Sequence, residues 1–120
     1  MEHDDSAKAL ADLEVRRDRT LADLDAVQVA LRSVRRAMQD AAARQDEVNI
    51  TFIDQLQRDD LDEAERQRIY REWGAALTAS SDDLDHLAAE HKRLQVQEVL
   101  LGRMLEELDR RIVKARTDLS

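Results

Sequence analysis

The sequence contains no cysteine, no proline and only two glycines, and aromatic residues make up 2% of it. Without cysteine the chain can form neither a disulfide nor a thiolate metal site. The scarcity of turn-forming residues and of β-branched runs argues against a compact α/β or all-β domain. No apolar run approaches the roughly 20 residues of a membrane-spanning helix, and the acidic amino terminus is unlike a signal peptide. We therefore expect a cytoplasmic protein without membrane insertion.

Charged residues, in contrast, are abundant. They make up 38% of the 120 residues, and the net charge is −8. Coiled-coil chains typically combine many charged residues with Ala and Leu, and this composition is of that kind. A duplex-binding surface needs clustered positive charge. We therefore expect no direct binding to nucleic acid.

Apolar residues recur at alternating steps of three and four, the spacing of the a and d positions in a coiled coil. We call these positions the seam. The first seam consists of Leu10, Leu13, Arg17, Thr20, Leu24, Val27, Leu31, Val34, Met38, Ala41, Gln45, Val48, Phe52 and Gln55. The second consists of Tyr70, Trp73, Leu77, Ser80, Leu84, Leu87, His91, Leu94, Glu98, Leu101, Leu105, Leu108, Ile112, Ala115 and Leu119. Ten of the fourteen and twelve of the fifteen are apolar, which predicts two long helices.

The clearest interruption lies between the two seams, where acidic residues cluster. Asp60 is an N-cap candidate, and Glu63 follows it at the spacing of a capping box. We therefore predict an all-α fold, a long antiparallel two-helix coiled-coil hairpin. Its segments are a disordered amino terminus at 1–7, a first helix at 8–57, an acidic turn at 58–61 and a second helix at 62–118.

The second helix has a weak point at residues 78–83, a stretch poor in helix formers. Ser80 and Asp83 have the spacing of a weak capping box. A kink there leaves the hairpin intact. A full break would give the alternative fold, a three-helix bundle.

With the turn near residue 59, the numbers of facing residues should add up to about 118. This places Glu98 opposite Thr20 and within one turn of Arg17. A buried pair of Arg17 and Glu98 would then set the antiparallel register; alternatively, this end of the hairpin splays and its side chains stay hydrated. All three aromatic residues fall in the seams near the turn, so we expect the better-packed end there.

A second apolar stripe follows the first helix at f positions, opposite its seam. Such positions are normally polar in an isolated coiled coil, so the stripe indicates packing against another helix. The second helix also has apolar residues outside its seam. We predict that a second copy of the chain or another helical protein binds at Val15, Val29, Ile50, Val96, Val99 and Leu100.

Residue spacing offers little support for catalysis. Asp83 and His86 have the i, i+3 spacing of carboxylate-bridged metal sites, but such sites need a second pair of this kind. The sequence has no glycine-rich phosphate-binding loop. We expect neither enzymatic activity nor a bound metal or cofactor.

The predicted turn carries an acidic tip, which consists of Asp59, Asp60, Asp62 and Glu63. Asp59, Asp62 and Ala64 form the pattern Asp-x-x-Asp-x-Ala, which resembles the coiled-coil tip of DksA-type transcription regulators. The resemblance implies insertion of the tip into the secondary channel of RNA polymerase, as in Gre factors. The chain departs from these families because it lacks the cysteines of a zinc finger and a β-rich second domain. Alternatively, the acidic residues cap the second helix.

These patterns favour a non-enzymatic interaction, scaffolding or adaptor protein that assembles with other helices. In architecture the chain resembles the stalk proteins of flagellar and type III secretion export ATPases. That resemblance covers length and periodicity alone. The alternative function is a transcription regulator that acts through the acidic tip.

Overall fold

Two α-helices and a short connection make up the computed structural model, which describes residues 2–120 and their side chains from Asp4 onward. Helix α1 spans Glu2–Leu56 and helix α2 spans Glu63–Leu119. Residues 2–120 contain no strand. Helix α2 continues without interruption across residues 78–83. The predicted helical hairpin is therefore confirmed, and the three-helix alternative is wrong.

The helix boundaries differ from the predicted ones at both ends of α1. Helix α1 begins at Glu2 rather than at residue 8, so the segment expected to be disordered is helical from Glu2; Met1 lies outside the described residues. Asp4 and Asp5 favour this start because acidic residues suit the positive end of a helix dipole. The connection covers residues 57–62 rather than 58–61, and α2 ends at Leu119 rather than at residue 118.

Asp62, and not Asp60, caps α2. The backbone N–H of Glu65 donates a hydrogen bond of 2.8 Å to Asp62 Oδ1, and the backbone N–H of Arg66 donates one of 3.1 Å to the Asp62 carbonyl. These are the two bonds of an N-cap residue. The capping-box spacing is therefore that of Asp62 and Glu65, two residues later than predicted.

We expect Asp62→Ala to lower the free energy of unfolding by about 0.5–2 kcal/mol, the usual cost of an N-cap. Asp59→Ala is the matched control, since Asp59 is exposed in the same connection and caps no helix. Urea denaturation followed by circular dichroism measures both. Equal losses in the two variants would contradict the assignment of Asp62 as the cap.

The chain divides into two compact units, each built from part of both helices. Unit 1 comprises Met1–Arg32 and Arg93–Ser120, and unit 2 comprises Ser33–Lys92. In unit 1, Leu31, Leu94, Leu108 and Ile112 are buried seam residues. In unit 2 the buried hydrophobic residues are Ala41 and Ile69. The better-buried seam therefore lies in unit 1, contrary to our expectation for the end near the turn.

Two polar seam residues of unit 1, Arg17 and Thr20, form hydrogen bonds within the unit. Thr20 is 5% exposed, and its hydroxyl donates a hydrogen bond of 2.9 Å to the carbonyl of Arg16. Arg17 pairs with Asp109 of α2 rather than with Glu98. The hydrogen bond to Asp109 raises the pKa of Arg17. The expected pair of Arg17 and Glu98 is therefore wrong. The ion pair that joins α1 and α2 here is that of Arg17 and Asp109.

In unit 2, Trp73 of α2 contacts two residues of α1. Its indole N–H donates a hydrogen bond of 2.8 Å to Asn49 Oδ1, and its ring stacks on Phe52 with 6.1 Å between centroids. Tyr70 was placed in the seam but is 53% exposed, whereas Ile69 is only 3% exposed. The seam of α2 therefore starts at Ile69, one residue before the predicted position.

The pairing register also differs from the prediction. The residue numbers add up to 122 for Asn49 with Trp73, to 125 for Phe52 with Trp73 and to 126 for Arg35 with His91. All exceed the predicted 118, so α2 is shifted along α1 relative to the prediction. The numbers of Arg17 and Asp109 also add up to 126, so the same offset accounts for the pairing of Arg17 with Asp109 instead of Glu98.

Candidate interaction surface

An apolar groove of about 480 Å³ lies between the two helices of unit 1. We call it the unit 1 groove. Its apolar lining consists of Ala26 and Val27 from α1 and of Leu100, Leu101 and Met104 from α2. Asp23 and Gln97 supply the polar part of its lining. Such a concave, mainly apolar surface is suited to contact with another apolar side chain or helix.

Two rows of residues at four-residue spacing explain the groove. Val96, Leu100 and Met104 follow one another at this spacing on α2, outside its seam, and are 53%, 51% and 51% exposed. We call them the α2 row. Residues four apart lie on the same face of a helix. On α1, alanines recur at the same spacing, namely Ala22, Ala26 and Ala30. Of these residues Ala26, Leu100 and Met104 line the groove, where the small side chain of Ala26 leaves space between the helices.

The six predicted partner-binding residues are all exposed, but they do not form one surface. Leu100 lines the unit 1 groove, and Val96 belongs to the same row. Val15, Val29 and Val99 are 49%, 56% and 52% exposed in unit 1 without lining the groove. Ile50, 60% exposed, belongs to unit 2.

Sequence reasoning missed Met104 and Ala26 as groove residues. The spacing of four residues from Val96 through Leu100 was the signal that could have identified Met104. Ala26 had no comparable signal, because a single alanine outside the seam is unremarkable in a helix of this composition.

Arginine side chains surround a second, smaller recess that shares Met104 with the groove. Arg16, Arg103 and Arg111 line this recess of about 300 Å³. Within the described part of the chain none of these three arginines forms an ion pair. Glu107, which also lines the recess, accepts a hydrogen bond of 2.8 Å from Arg110. One end of the groove therefore combines an apolar surface with positive charge.

The acidic tip has mainly structural contacts. Arg58 donates a hydrogen bond of 2.9 Å to Asp60 Oδ2 and thereby lowers the pKa of Asp60. Asp62 caps α2, and Glu63 accepts a hydrogen bond of 3.1 Å from the side chain of Gln67. Asp59 is exposed. Three of the four acidic residues thus make hydrogen bonds within the connection or the first turns of α2.

Asp83 and His86, the pair with the spacing of a metal site, both lie in unit 2. Asp83 and His86 line a shallow groove together with Asp40 and Arg44. Among the side chains of residues 4–120, no group of three or more His, Cys, Asp or Glu residues could hold a metal ion. His91 instead accepts a hydrogen bond of 3.2 Å at Nε2 from Arg35.

The fold and the groove define the chain as an antiparallel helical hairpin with an exposed apolar surface between its helices. Comparison with protein-family models, with curated proteins and with solved structures gives no match. Neither of the described helices has a segment long and apolar enough to cross a membrane.

Proposed function

We propose that the chain is a cytoplasmic, non-enzymatic scaffold or adaptor that binds a helical partner through the unit 1 groove. The observation that carries the proposal is the α2 row, in which three large apolar side chains are each about half exposed, two of them lining a groove with Ala26 and Val27 of α1. An assembly role of the kind played by export-ATPase stalk proteins is consistent with this arrangement.

The physical basis is the burial of apolar surface. Each half-exposed side chain of the α2 row gains roughly 25 cal/mol for every Å² of apolar surface that a partner covers. An amphipathic helix in a groove is a common way to cover such a row, because its own apolar side chains recur every three or four residues. The small side chain of Ala26 in the groove leaves room for that helix to approach α1.

Leu100→Glu combined with Met104→Glu should abolish binding of the partner while the helix content stays unchanged. The two carboxylates would have to be desolvated in the groove, which costs more than the lost apolar contacts. The tagged chain captures its partner from an extract of the native source, mass spectrometry identifies that partner, and a binding isotherm with the purified partner measures the loss. Circular dichroism establishes that the variant folds.

Val113→Glu is the matched control, because Val113 is 62% exposed on α2 but does not line the groove. This control should bind like the unmodified chain. Unchanged partner binding by the double groove variant would overturn the proposed function.

A further inference from the structure

We propose that the unit 1 groove binds a second copy of this chain, and that the α2 helices of the two copies meet antiparallel on a two-fold axis at Leu100. The inference rests on the proposed function, whose partner it identifies. It follows from the arrangement of residues on either side of Leu100, in which the apolar residues and the charged residues are each self-complementary.

The apolar residues are complementary about such an axis. When two identical helices cross antiparallel at Leu100, residues at equal distances before and after Leu100 face each other. Val96 lies four residues before Leu100 and Met104 four residues after it, so each faces the other in the second copy. Leu100 faces Leu100 of the second copy, beside the small side chain of Ala26. All three residues of the α2 row are thereby covered in both copies.

The charged residues are complementary about the same axis. Arg93 and Glu107 are exposed and lie seven residues before and after Leu100, so both share its heptad position and its face of α2. The antiparallel arrangement therefore brings Arg93 of each copy to Glu107 of the other, and the ion pair occurs twice. Arg93 also interacts within its own chain, and its exposed side chain exchanges that partner for Glu107 of the second copy. A parallel arrangement would instead place Arg93 against Arg93, and like charges in this position select against it.

The ion pair that Glu107 already makes does not prevent this exchange. Its partner Arg110 is three residues along the same helix, and both side chains are more than half exposed. Exposed pairs of this kind contribute little to stability. Arg103 and Gln97, three residues on either side of Leu100, also face each other in the proposed dimer. The Arg103 guanidinium, which has no ion pair in the described chain, can then donate to the Gln97 amide oxygen.

Cysteine crosslinking tests the position of the axis. The chain has no cysteine, so a single Leu100→Cys substitution introduces the only thiol. A disulfide needs Cα atoms within roughly 7 Å, and two copies of one residue come that close only at a two-fold axis. Leu100→Cys should therefore form a covalent dimer under mild oxidation. Val113→Cys should stay largely monomeric, because Val113 is even more exposed than Leu100 but lies 13 residues from the axis.

A mixture of two variants tests the direction of the helices. Val96→Cys mixed with Met104→Cys should give the mixed disulfide in excess over either homodimer, because these two positions face each other only in the antiparallel arrangement. Predominant Val96–Val96 or Met104–Met104 crosslinks would overturn the antiparallel arrangement.

Charge reversal tests the proposed ion pair without altering the apolar row. Arg93→Glu or Glu107→Arg alone should each weaken dimerisation roughly tenfold, because each places two like charges at both symmetric contacts. The double variant should restore the affinity of the unmodified chain. Analytical ultracentrifugation over the micromolar to millimolar range measures all four proteins, and circular dichroism establishes that each is folded. Singles that dimerise as the parent chain does, or a double variant that stays weak, would overturn the ion pair as the determinant of the dimer.

The outcomes separate this inference from the proposed function. A chain that stays monomeric throughout that range, while its groove still binds another protein, overturns the second copy and leaves the proposed function intact. A dimer that crosslinks at Leu100 supports both proposals. A monomeric chain whose double groove variant binds all partners normally overturns both.

Discussion

Trp73→Ala should lower the free energy of unfolding by about 3 kcal/mol, the lower end of the range for truncating a large aromatic side chain, because Trp73 is half-buried. The substitution removes the ring that stacks on Phe52. It also removes the hydrogen bond that the Trp73 indole N–H donates to Asn49 Oδ1. Equilibrium unfolding in urea, followed by circular dichroism at a low protein concentration, measures the loss.

Two further variants give this prediction its controls. Tyr70→Ala removes an aromatic side chain three residues away, but Tyr70 is 53% exposed, so its loss should stay under about 1 kcal/mol. Trp73→Phe keeps an aromatic ring and removes the hydrogen bond to Asn49, which should cost about 1 kcal/mol on that account. If Trp73→Ala and Tyr70→Ala have equal effects, Trp73 does not organise unit 2.

The second large effect is expected in unit 1. Leu31→Ala should cost about 2–5 kcal/mol, because Leu31 is 1% exposed and its truncation removes buried apolar atoms and leaves a cavity. The spread of that range reflects how far neighbouring side chains can move into the space. The same urea titration measures this variant. Equal slopes of the transition for Leu31→Ala and the unmodified chain would establish that both unfold to the same extent.

Val29→Ala is the matched control for Leu31→Ala. Val29 lies two positions before Leu31 in α1 and is 56% exposed. Its truncation should therefore change the free energy of unfolding by no more than about 0.5 kcal/mol. A loss for Val29→Ala as large as for Leu31→Ala would show that the outer face of α1 is covered in solution. Repeating the titration at several protein concentrations would then reveal whether a second copy covers it.

The helices and most of the seam could be predicted from the sequence because they depend on local periodicity. In α1 every predicted seam residue is buried or half-buried, including the polar Arg17 and Thr20. In α2 the same is true of all predicted seam residues except Tyr70. A repeat of three and four residues specifies which side of a helix is apolar, whatever that side later contacts.

The turn shows the limit of local patterns. Asp60 and Asp62 are both followed by a glutamate after three residues, so the spacing alone predicts either one as the cap. Asp62 becomes the cap because α2 begins at Glu63, and Asp60 is instead held by Arg58. The choice between the two carboxylates depends on how the connection is folded.

The pairing register of α1 with α2 and the unit 1 groove depend on the tertiary structure. A heptad repeat is satisfied equally well when one helix slides along the other by whole turns, so it does not determine that Arg17 meets Asp109 and not Glu98. The groove depends on the same choice, since Ala26 and Leu100 line one depression only when these parts of α1 and α2 lie side by side. The sequence by itself thus determined two amphipathic helices and their apolar faces. Which residues of those helices lie together depends on contacts between segments far apart in the chain, and the periodicity of either helix alone does not contain that information.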